Sequence, residues 1–110
     1  MAFSNEAQEK VTQAIEQETL EACFNWGSVY NSRAEAYAVL KEEVEEAEEN
    51  LNNLKNVLND FWTQSVKNNK KFITKKLVKK MRLEAELLAM EAVQVAAVCN
   101  KIVNTLKAEE

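Results

Sequence analysis

Hydrophobic and polar positions alternate along this chain with the period of a helix from near its start to its end. Residues 5–23, NEAQEKVTQAIEQETLEAC, place Val11, Ala14, Ile15 and Leu20 on one side of an amphipathic helix. The segment FNWGSVYN at 24–31 breaks the pattern. It holds Gly27, the only glycine, and aromatic side chains suited to plugging the end of a bundle. Ser32 followed by Glu35 is a capping-box spacing that starts a second helix.

From about Arg33 to Gln64 the apolar positions Tyr37, Leu40, Val44, Ala47, Leu51, Leu54, Leu58 and Phe61 advance in steps of three and four. That is a coiled-coil-like seam. At 1.5 Å per residue the helix would reach about 45 Å. A compact chain of this size has a radius of gyration near ~13 Å. The helix is therefore expected to overhang its own domain and to pack on another subunit, in a homodimer or homotetramer. SVKNNKK at 65–71 is a polar break. A last helical region is predicted from about Phe72 to Lys107, with a bend or an interruption near Arg82 and an inner stripe of Ile73, Leu77, Met81, Ala85, Leu88, Ala92, Val95, Ile102 and Leu106. The tail KAEE is expected to fray.

Composition sharpens this picture. A chain of 110 residues with no proline and one glycine favours helices throughout. The expected fold is all-α, an antiparallel helical bundle with one long acidic helix, oligomeric, in a single domain spanning 1–110. The absence of histidine excludes mechanisms that need imidazole. Cys23 and Cys99 form no CxxC pair and read as packing residues of a cytoplasmic protein. No signal pattern and no apolar run of membrane-spanning length is present.

Charge is unevenly placed. Residues 1–60 hold 13 acids and 4 bases, and residues 61–110 hold 5 acids and 10 bases, eight of them between Lys67 and Arg82. That basic run has a single aromatic, Phe72, and no nucleic-acid motif, so a solvated face, or one complementing the acidic helix upstream, is the expected reading and nucleic acid is not the expected partner.

Two stretches carry candidate chemistry. MEAVQVAAVC at 90–99 is apolar nearly all round, yet contains Glu91 and Gln94 three residues apart. Burying such groups is costly unless something pairs with them. LKEEVEEAEEN at 40–50 contains EExxE, formed by Glu42, Glu43 and Glu46, with Glu43 and Glu46 on one face beside the seam. If these two helices pack antiparallel, Glu43, Glu46, Glu91 and Gln94 converge. An all-oxygen set of this kind suits Mg²⁺, Mn²⁺ or Ca²⁺.

EExxE on one helix and E-x-x-Q on a later one resemble the paired acidic motifs of the MazG-like all-α nucleotide pyrophosphohydrolases, and SRAEAYAVLKEEVEEAEE with EAVQVAAV resembles a small phage-type member. The resemblance covers roughly residues 32–106. It implies a Mg²⁺- or Mn²⁺-dependent enzyme cleaving nucleoside triphosphates to monophosphate and pyrophosphate. Glu42, Glu43, Glu46 and Glu91 would then be the catalytic acids, and Glu43, Glu46, Glu91 and Gln94 the metal-facing positions. The chain departs from the family at Gln94, where the pattern has aspartate, and in the long basic segment between the motifs. The alternative is a non-catalytic helical oligomerisation protein in which Glu91 and Gln94 bond across the bundle and set its register.

Overall fold

A computed structural model of the chain describes residues 2–68 and 71–109, with the side chains of residues 71 and 72 left out. It is all-helical. Helix α1 spans Asn5–Trp26, α2 spans Arg33–Asp60, and α3 spans Lys71–Ala108. A π-helical turn, Phe61–Val66, follows α2 directly. Residues 69 and 70, in the middle of the expected polar break, lie outside the described residues.

Local chemistry accounts for the helix ends. The Ser4 hydroxyl accepts the Ala7 N–H at 3.1 Å and starts α1. Gly27 stops it at φ 88°, a left-handed value that suits glycine, while its N–H returns to the Cys23 carbonyl at 2.9 Å. The Ser32 hydroxyl accepts the Glu35 N–H at 3.1 Å, as the capping spacing predicts. In the π-helical turn the Lys67 N–H reaches back five residues to the Trp62 carbonyl at 3.1 Å. The wider winding absorbs an extra residue and re-phases every side chain after it.

The chain divides into two compact units. One comprises residues 1–44 and 92–110, and the other comprises 45–91. The first holds α1, the start of α2 and the end of α3. Its buried residues include Tyr30, Ala36, Ala97, Lys101 and Thr105. The second is a helical hairpin with Val57, Ser65 and Leu77 buried. The hydroxyls of Ser65 and Thr74 bond to each other near its turn.

Several expectations are corrected. The first helix runs three residues further than Cys23, so Phe24 and Trp26 stand on it, 90 % and 80 % exposed, and only Tyr30 plugs the end. On α1, Val11, Ala14 and Leu20 are exposed, and the half-buried line includes Ile15, Glu18, Thr19 and Ala22. Polar groups on that line bond to α3, which an apolar pattern does not reveal. Along α2 the seam splits. Leu40, Ala47, Leu54 and Phe61 are half-buried, whereas Tyr37, Val44, Leu51 and Leu58 are exposed. Helix α3 passes Arg82 without interruption and continues to Ala108, while Ala85, Ala92 and Leu106 of the expected stripe are exposed. At the surface, Arg33 and Glu109 form an ion pair at 2.8 Å.

Candidate functional site

The carboxylates of the two motifs meet. In the hairpin unit, Glu46 on α2 and Glu91 on α3 present carboxylate oxygens within 4.8 Å of each other. Glu43 stands one turn before Glu46 on the same helix and offers an oxygen within 4.8 Å of that of Glu46. Glu43 and Glu91 are half-buried and Glu46 is exposed. Negative charges this close repel one another, and a cation between them would relieve that repulsion.

Glu91 is the acid of this group with an unsatisfied buried oxygen. Its Oε2 is buried and has no hydrogen-bond partner, an arrangement that costs free energy in an apolar surround. Glu84 Oε2, two turns earlier, is likewise buried without a partner. An oxygen-only donor set with an unsatisfied oxygen fits a hard divalent cation, with Glu46 and Glu91 from facing helices and Glu43 one turn away. Glu42 is exposed and is not one of the converging acids.

Gln94 has a different partner. Its Nε2 donates to Glu18 Oε2 on α1 at 2.8 Å. The amide is thus satisfied within the first unit, by a helix that the motif pattern does not include. Six residues further along α3, Asn100 Nδ2 donates to the Thr19 hydroxyl at 3.1 Å, a second polar tie between the same helices.

The first unit also contains a cleft of about 410 Å³ that the sequence did not reveal. Trp26, Tyr30, Glu35, Glu43, Gln94 and Lys101 are among its lining residues. Lys101 is only 6 % exposed, and its ammonium lies 4.2 Å from the centroid of the Tyr30 ring, a cation–π contact. The Tyr30 N–H donates to the Thr105 hydroxyl at 2.9 Å, and that hydroxyl donates to the Lys101 carbonyl at 2.9 Å. Burial raises the Tyr30 phenol above its usual range, and the nearby charges of Glu35 and Glu43 push the same way. A buried lysine within an apolar stripe was the one available signal, and its partner lies 71 residues away in sequence.

No family model, curated protein or solved structure matches this chain. No helix among the described residues is long and apolar enough to cross a membrane.

Proposed function

We propose that this chain is a divalent-cation-dependent nucleoside triphosphate pyrophosphohydrolase of the MazG-like type, built as an antiparallel helical bundle. One observation carries the reading. Carboxylates from EExxE and from the later acidic motif approach within 4.8 Å, and Glu91 Oε2 has no other partner. Glu46 and Glu91 would hold Mg²⁺ or Mn²⁺, with Glu43 beside them. When bound, the cation would polarise a phosphoryl oxygen and lower the pKa of bound water. The carboxylates orient the site, and an acid without a metal ligand role could accept a proton.

A second reading has its own observation. Residue 94 is an amide bonded to Glu18, so the later motif contributes one carboxylate where the family pattern has two. A three-acid set should bind the metal more weakly, which favours a helical scaffold without chemistry. Pyrophosphate release from a mixture of nucleoside triphosphates, with Mg²⁺, with Mn²⁺ and with chelator, separates the two. Metal-dependent release that Glu91→Gln abolishes supports the enzyme. Stabilisation by Mn²⁺ without release leaves the scaffold.

A further inference from the structure

The hairpin unit sorts its charges by position. Residues 45–54 and 83–91 contain seven acids and no base, whereas residues 55–82 contain nine bases and one acid. The contact between Glu46 and Glu91 puts both acidic stretches at one end of the hairpin, and the bond between Ser65 and Thr74 closes the other. One end is therefore strongly negative and the other strongly positive.

An apolar row runs along α2 and into the π-helical turn. Leu51, Leu58 and Trp62, spaced by seven and four, are 37 %, 56 % and 54 % exposed. Leu51 and Leu58 belong to the exposed half of the heptad seam, Trp62 continues the row into the π-helical turn, and the hairpin's own second arm leaves all three exposed. A partner for this row must offer a matching apolar row and the opposite order of charge. The same hairpin turned end for end offers both.

We propose that the hairpin unit pairs with that of a second copy, antiparallel along the row, so that Leu51 of one protomer meets Leu58 of the partner subunit. Reversal sets each negative end beside a positive end. A parallel pair would set negative beside negative and positive beside positive, and like charges at such proximity are unfavourable. A two-fold arrangement also closes on itself and leaves no row open for further growth. The proposal does not depend on the hydrolase reading, because it uses neither the metal nor a substrate.

Disulfide trapping tests the register. In a Cys23→Ser, Cys99→Ser background, Leu51→Cys and Leu58→Cys are prepared separately, one of them isotopically heavy. Oxidation of the mixture should give a cross-linked dimer containing one heavy and one light chain. Each variant oxidised alone should remain uncross-linked, because an antiparallel pair displaces like positions by about 10 Å along the axis. A disulfide tolerates Cα separations only up to about 7 Å. The native chain supplies the second measurement. Light scattering at micromolar concentration should give a dimer mass, weakened about tenfold by raising salt from dilute buffer to half molar. Leu58→Lys, at an exposed position, should keep the helical circular dichroism and give a monomer. Self-cross-linking of either variant alone, or a monomer mass for the native chain, would overturn the proposal.

Discussion

At the residue scale, Gln94 and Glu91 look alike in sequence and are opposites in the structure. Gln94 is satisfied, while Glu91 carries a buried oxygen without a partner. Gln94→Asp would set a second carboxylate toward Glu18 and remove the donor. We expect a loss of about 1–3 kcal/mol, since hydrogen bonds to charged groups are worth that much and like charges add to the penalty. Thermal melts of both proteins should show the variant lower, with no compensating gain in Mn²⁺. Glu91→Gln should act in the other direction. Without metal it relieves carboxylate repulsion and should raise stability by up to about 1 kcal/mol. With Mn²⁺ the wild type should gain stability and the variant should not, which the same melts reveal. Equal Mn²⁺ responses would remove Glu91 from the proposed metal site.

At the scale of elements, caps and the segment 27–32 join what the helices begin. Ser32→Ala removes the acceptor of the Glu35 N–H and should cost about 1 kcal/mol, read as a shift in the urea midpoint at unchanged slope. The contact of Tyr30 with the end of α3 makes a pH prediction. The folded phenol titrates above its unfolded value of 10.0, so folding favours the protonated form. Its contribution is complete below pH 10.0 and is lost as pH rises from there toward the folded value. Tyr30→Phe should therefore show a shallower fall in stability above that pH than the wild type. Following tyrosinate absorbance in the same titration assigns the change to the phenol.

At the scale of the whole molecule, the charge order of the hairpin and the uncovered half of its seam bear on association. If folding and pairing are linked, Tm should rise with protein concentration, because binding that favours the folded form adds to its stability. A Tm that is constant across a hundredfold dilution from about 100 µM would separate folding from pairing. A net charge conceals this arrangement, since the eight acids and nine bases of residues 45–91 nearly cancel while seven of the acids and all of the bases fall in opposite halves of the hairpin sequence.

The sequence by itself determined the helices, because their signals are local. The cap at Ser32, the stop at Gly27 and the unbroken absence of proline act within a few residues of where they stand. It also marked Glu43 with Glu46, and Glu91 with Gln94, as neighbours on a helix face, since i, i+3 spacing is a pattern in one dimension. Only tertiary structure decided which half of each seam is covered. A heptad row states that a face is apolar, but not which neighbour lies against it, and the π-helical turn re-phases the pattern without an obvious mark in the sequence. The pairing of Gln94 with Glu18 and of Lys101 with Tyr30 was equally out of reach. Each joins residues 76 or 71 positions apart, and what selects such partners is the packing of whole helices rather than any spacing along one of them.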